Sequence, residues 1–133
     1  MLRKFKFNHI GIALKDDRGI SSFLDALGYK KNKSAKEKKL GVKIALYNKK
    51  NNPVIEIVTP YLKNEISKNI FKRYDKKIYH ICFEVNSQKE IKQLIKKYRM
   101  VCVLKPTMTN IFRKKITYYY FKKIGLIEFI INE

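Results

Sequence analysis

The chain has 133 residues, 45% of them hydrophobic, and a formal charge of +20 from 31 basic against 11 acidic side chains. That length fits one domain, and the apolar content excludes a disordered chain. No apolar run approaches the roughly 20 residues of a membrane helix, and the opening residues lack the apolar stretch of a secretory signal, so a cytoplasmic location is expected.

The first predicted strand covers 6–14. Alternation puts His9, Gly11 and Ala13 on one face and Ile10, Ile12 and Leu14 on the other, a small open face backed by a bulky one. Asp16 or Asp17 is positioned to cap a following helix with Ile20, Phe23, Leu24 and Leu27 on one side and Gly28 as its stop. Strands follow over 42–47 and 54–59, separated by the turn-prone Asn51-Asn52-Pro53. Residues 61–77 space Ile66, Ile70, Phe71 and Tyr74 as a short linking helix.

The second half opens with a strand over 79–85, where His80 shares its face with Cys82 and Glu84. Ser87 and Glu90 have capping-box spacing ahead of a helix carrying Ile91, Leu94, Ile95 and Tyr98. Strands are predicted over 100–104, 115–121 and 126–131. Tyr118 and Tyr120 lie on one face of the second of these and Tyr119 on the other, with packing rather than substrate contact the simpler role. Arg113 and Lys114 read as a solvated turn. Cys82 and Cys102 form no CxxC motif and are expected to be reduced thiols, Cys102 as a small core residue.

The positive charge attracts anions, and a small anionic substrate is the expected partner. Only five basic residues are Arg (Arg3, Arg18, Arg73, Arg99 and Arg113) and the other 26 are Lys, spread along the whole chain. Base readout leans on Arg, so no specific nucleic-acid partner is expected.

The two halves repeat one another. Placing His9 over His80, an offset of 71, aligns Ile10 with Ile81, Ile12 with Phe83, Leu14 with Val85 and Ile20 with Ile91. Placing Glu56 over Glu128, an offset of 72, aligns Lys43 with Lys115, Ile44 with Ile116, Tyr47 with Tyr119 and Ile55 with Ile127. Matches in register around both histidines and both glutamates point to an internal duplication. One domain over 1–133 is expected, with module one at about 5–60, a linker at about 61–77 and module two at about 78–133. Any one of these four polar residues alone is more often structural. The four together, placed by the repeat, are a His2Glu2 ligand set for a divalent ion such as Zn, Co, Ni, Mn or Fe. A carboxylate flanked by Ile55 and Ile57, or by Ile127 and Phe129, is costly to bury unless paired or metal-bound.

Five segments carry a family resemblance: Asn8-His-Ile-Gly-Ile-Ala13, Gly41-Val-Lys-Ile-Ala-Leu-Tyr47, Ile55-Glu-Ile-Val-Thr-Pro60, Tyr79-His-Ile-Cys-Phe-Glu-Val85 and Leu126-Ile-Glu-Phe-Ile130. In order and spacing they resemble the vicinal oxygen chelate superfamily of glyoxalase I, extradiol dioxygenases, bleomycin-resistance proteins and methylmalonyl-CoA epimerase, and most closely its epimerase branch. The resemblance implies an α+β fold of two paired βαβββ modules, a curved, cup-shaped mixed sheet with helices on its outer face. It implies a metal held by His9, Glu56, His80 and Glu128, with Glu128 also the catalytic base. The implied activity is metal-dependent isomerisation or epimerisation α to a carbonyl, on an acyl thioester, in a protein that is often a homodimer. A glyoxalase I-like lactoylglutathione lyase and a non-catalytic binding or resistance protein on the same fold are the alternatives. The chain departs from the epimerase pattern at one point. Where that branch carries a second acid/base carboxylate, this chain has Lys38-Lys39-Leu40, and the nearest carboxylate, Glu37, is displaced along the sequence. A one-base isomerisation, or a different acid, is the chemistry this implies.

Overall fold

A computed structural model describes residues 4–133. Contacts divide the chain into two compact units, one spanning His9–Tyr79 and the other joining the segment that ends at Asn8 to His80–Glu133. The fold is α+β, and each unit is built around a βαβββ module.

In the first unit the module is β1 (Lys6–Ala13, its residues from His9 onward), α1 (Ile20–Ala26), β2 (Lys30–Glu37), β3 (Val42–Asn48) and β4 (Val54–Pro60). Its strands run in the order β2-β3-β4-β1, with β1 parallel to β4 and the other pairs antiparallel. A helix without a counterpart in the repeat, α2 (Glu65–Tyr74), follows. It matches the helix expected from the apolar spacing in 61–77, and Phe71 is its buried aromatic residue.

The apolar core of this unit is Leu24, Ala45, Tyr47 and Ile57, with Ile12, Leu14, Ile20 and Ile55 packed against it. These strand residues all occupy the face opposite His9, so α1 covers the bulky side of β1, as the alternation requires. Two expectations for α1 are corrected. Neither Asp16 nor Asp17 caps it: the N-cap is Gly19 at φ 80, without a side-chain hydrogen bond. Asp16 accepts instead from the Arg18 backbone and guanidinium. Phe23 and Leu27 are exposed, because a seven-residue helix turns only Leu24 fully onto the sheet.

The second unit repeats the plan with β5 (Lys77–Val85, its residues from His80 onward), α3 (Gln88–Tyr98), β6 (Val101–Met108), β7 (Lys115–Phe121) and β8 (Gly125–Ile131), in the order β5-β8-β7-β6. Here β5 runs parallel to β8 and the remaining pairs are antiparallel. Ile91 of α3 packs with Val85, Met100, Ile127, Phe129 and Ile131, and Phe5 and Tyr119 meet Phe129 edge-on. Each such large apolar side chain contributes about 1.5–3 kcal/mol by its burial.

Ser87 is the N-cap of α3 but its side chain makes no cap bond; Glu90 reaches past it to accept from the Asn86 N–H at 3.3 Å. Cys102 is exposed rather than in the core, because it lies on the terminal strand β6 beside a register shift, while Cys82 is buried.

The strand β2 has no counterpart among the strands expected from residue pattern. Its residues, Lys30-Lys-Asn-Lys-Ser-Ala-Lys-Glu37, include no β-branched or aromatic side chain. Backbone pairing with β3 holds it, and its lysines suit a strand at the end of a sheet, where charge discourages further pairing.

Candidate metal centre

In each unit a histidine on the first strand meets a glutamate on the last. In the parallel pairing of β1 with β4, His9 stands opposite Val54 and Gly11 opposite Glu56. The glutamate therefore lies two residues beyond the histidine's partner, which keeps both side chains on one face. The His9 Nε2 atom is 3.3 Å from Glu56 Oε2, and both residues are 0% exposed.

The second unit repeats this relation. His80 stands opposite Leu126 and Cys82 opposite Glu128, so Glu128 is again two residues beyond the histidine's partner. His80 Nε2 lies 3.2 Å from Glu128 Oε1, and both residues are buried. Glu56 follows His9 by 47 residues and Glu128 follows His80 by 48, and both separations fold into the same register step.

Burial makes these pairs chemically unusual. A carboxylate removed from water carries a large desolvation cost that a neutral imidazole offsets only in part. Each of the four side chains offers a ligand atom suited to a borderline divalent cation: imidazole nitrogen from His9 and His80, carboxylate oxygen from Glu56 and Glu128.

The surroundings hold the pairs in place. Tyr118 stands opposite Glu128 in the β7–β8 pairing, and its ring meets His80 edge-on at 5.4 Å between centroids. Tyr118 is therefore a buried wall of the pair, and Tyr119 faces the α3 core, as their alternation implied. Burial pushes the Tyr119 phenol upward from its usual range, reinforced by Cys102 beside it. Arg113 is exposed in a turn at φ 54, and Lys114 beside it reaches Asn132.

A third carboxylate emerges from the fold. Glu37 is buried, and it stands opposite Val42 at the end of the β2–β3 pair. Leu46, four residues further along β3, stands opposite Glu56. Even steps keep the face, so Glu37 leaves the same side of this sheet as Glu56 and His9. In the sequence Glu37 is displaced from the position of the epimerase branch's second carboxylate, which Lys38-Lys39-Leu40 occupies here. The register of β2, a strand without apolar alternation, is what decides its direction.

Comparison with known proteins bears on the same features. The family described as the glyoxalase/bleomycin resistance protein/dioxygenase superfamily matches residues 8–120. No curated protein matches the chain. Among solved structures, a hypothetical protein from Bacillus halodurans is 22% identical with a TM-score of 0.79, covering 97% of this chain and 95% of its own. Methylmalonyl-CoA epimerase from Mycobacterium tuberculosis is 19% identical with a TM-score of 0.77, over 96% of this chain and 88% of its own. A variant of the Streptomyces coelicolor methylmalonyl-CoA epimerase, in complex with 2-nitronate-propionyl-CoA, is 18% identical with a TM-score of 0.70, over 95% of this chain and 96% of its own. At these identities the solved structures establish a shared fold. The family match spans most of the chain, from β1 into β7, and the chain belongs to the glyoxalase/bleomycin resistance protein/dioxygenase superfamily.

Proposed function

We propose that this protein is a metal-dependent isomerase or epimerase acting α to a carbonyl, on a small anionic acyl thioester, and that His9, Glu56, His80 and Glu128 together hold its divalent ion. The observation that carries this is the repeated register: a buried His Nε2 faces a buried Glu oxygen at 3.3 Å in one unit and 3.2 Å in the other. Two carboxylates balance the charge of a dication, and the imidazole–carboxylate set suits Zn, Co, Ni, Mn or Fe. The likeness in fold to methylmalonyl-CoA epimerases supports the thioester as substrate class.

When bound, the ion supplies Lewis-acid polarisation of the substrate carbonyl, which makes the adjacent C–H acidic. Glu128 takes the α-proton as general base. Glu37 serves in this reading as the second carboxylate, returning a proton to the α-carbon, a role supported by its burial on the same sheet face as Glu56. We extend the proposal to one domain over 1–133 and to a homodimer in the cytoplasm, for which sedimentation and fractionation are the checks.

Elemental analysis of the purified protein beside its His80→Ala variant tests the metal. The expected result is a stoichiometric divalent ion in the parent and its loss in the variant. Equal metal in both proteins overturns the ligand set. Turnover of a methylglyoxal–glutathione adduct in place of a methylmalonyl thioester assigns the lyase activity instead, and a metal-free, inactive parent assigns a binding module.

A further inference from the structure

The chain from Pro60, the last residue of β4, to Lys63 borders a groove of about 600 Å3 within the first unit, together with residues of α2. None of its lining residues belongs to the metal centre. Tyr61, Leu62 and the buried Phe71 give it an apolar lining. Lys15, Lys63, Lys68 and Lys72 also line it, and no carboxylate is among its described lining residues.

Two described lysines elsewhere meet acids, Lys30 with Asp25 and Lys4 with Glu90, whereas the groove brings four lysines together with no carboxylate among its described lining residues. Lys68 and Lys72 stand one turn apart on α2, where like charges repel. Lys36 adds a further cation, its Nζ 5.1 Å from the centroid of the Tyr61 ring. An anion seated among these ammonium groups relieves the repulsion and gains charge-assisted hydrogen bonds.

The lining is also held in shape before any ligand arrives. The Gly41 carbonyl accepts from the N–H groups of Tyr61 at 2.9 Å and Leu62 at 3.0 Å. The Ser67 hydroxyl donates to the Leu62 carbonyl at 2.6 Å, and the Asn64 side chain accepts from the Ser67 N–H at 2.9 Å. A preformed pocket in this volume range suits a small molecule with an apolar body and a few polar anchors.

We propose that this groove binds a nucleoside diphosphate, with the base against Tyr61, Leu62 and Phe71 and the phosphates on Lys15, Lys63, Lys68 and Lys72. The site stands independently of the metal proposal, because no metal ligand takes part.

Calorimetric titration of the full chain with ADP tests it, run on metal-stripped and untreated protein alike. The comparison is between the parent, a Lys68→Glu/Lys72→Glu variant, and a Lys89→Glu/Lys92→Glu variant of equal charge on α3. Loss of two direct phosphate contacts is expected to weaken ADP by about tenfold or more, against less than about twofold in the α3 control. Tyr61→Ala is expected to weaken ADP while leaving inorganic pyrophosphate unchanged. Absence of ADP binding by the parent overturns the site, as does equal weakening in the two charge variants. Pyrophosphate binding as tightly as ADP overturns the nucleoside assignment. All of these outcomes read separately from metal content, so failure here and failure of the metal centre are distinguishable.

Discussion

Glu37 and Glu56 leave the same face of the first unit's sheet, separated by the single strand β3, where Val42 opposes one and Leu46 the other. Both are buried, at 4% and 0% exposure. If Glu37 is the second acid/base group, Glu37→Gln keeps the volume and the metal but cannot shuttle a proton. Epimerisation is expected to fall by about 10²–10⁴-fold, the usual contribution of one general acid/base. With Glu128 as the proposed base for the α-proton, deuterium exchange with retained configuration in heavy water is expected to survive. Inversion at the parental rate in the variant would return the mechanism to a single base.

If His9, Glu56, His80 and Glu128 hold the proposed metal, its binding stabilises the folded state alone. With free metal at about 100 times its dissociation constant, the gain is about 2.7 kcal/mol. Thermal unfolding of stripped protein with and without added metal reads this as an upward shift in Tm. His80→Ala and Glu56→Ala are expected to abolish the shift. A metal-dependent shift of the same size in both variants would argue against the four-residue site.

Gly41 shows where a glycine is required. It has φ +71, and a Cβ there would meet the Leu62 carbonyl oxygen at 2.8 Å and Asn64 Nδ2 at 2.7 Å. The carbonyl belongs to the backbone that Gly41 itself anchors, so it has little room to move. Gly41→Ala is expected to cost about 1–3 kcal/mol in urea unfolding. Gly19, at φ +80, has nothing within 4 Å of its would-be Cβ. Gly19→Ala bears only the left-handed strain of about 1–2 kcal/mol, and therefore should be the milder variant. The reverse order would mean that the Gly41 contact relaxes.

The Arg18 side chain, hydrogen-bonded to the Asp16 carboxylate, holds its pKa down at about 2 from the ordinary 3.8, and the Arg18 backbone N–H adds to this. A folded pKa below the unfolded one means that the interaction stabilises the fold above the ordinary carboxylate range. It is lost as pH falls from about 3.8 through about 2. Carbon-detected NMR titration of Asp16 is expected to give the low value, with Arg18→Ala returning it toward 3.8. The pair is fully solvent-exposed, so its global effect is small. An unshifted Asp16 in the parent would show that solvent screens the contact.

Much of the fold and of the centre was legible in the chain. Strand alternation placed His9 away from Ile10 and Ile12, and α1 indeed covers the isoleucine side. The parallel offsets of His9 to Glu56 and His80 to Glu128 announced two copies of one module, and both pairs form with the same two-residue register step. What stayed hidden depends on neighbours. No side-chain pattern marks β2, because a lysine-rich terminal strand is held by backbone pairing to β3. Cys102 resembled a core residue in an apolar run, yet terminal placement leaves it exposed. Asp16 had the chemistry of a helix cap, but Arg18 two residues away captures its carboxylate.

By itself, then, the sequence determined the periodic features: the duplicated module, the face of each strand and the four residues offered as ligands, because alternation and repeat spacing are local properties of the chain. Tertiary structure decided the rest. It alone sets which residue of β2 stands opposite Val42, and hence that Glu37 shares a face with Glu56. It alone brings Lys15 from the end of β1 to the same groove as Lys68 and Lys72 of α2. Both relations join segments distant in sequence, and only pairing and packing fix those in space.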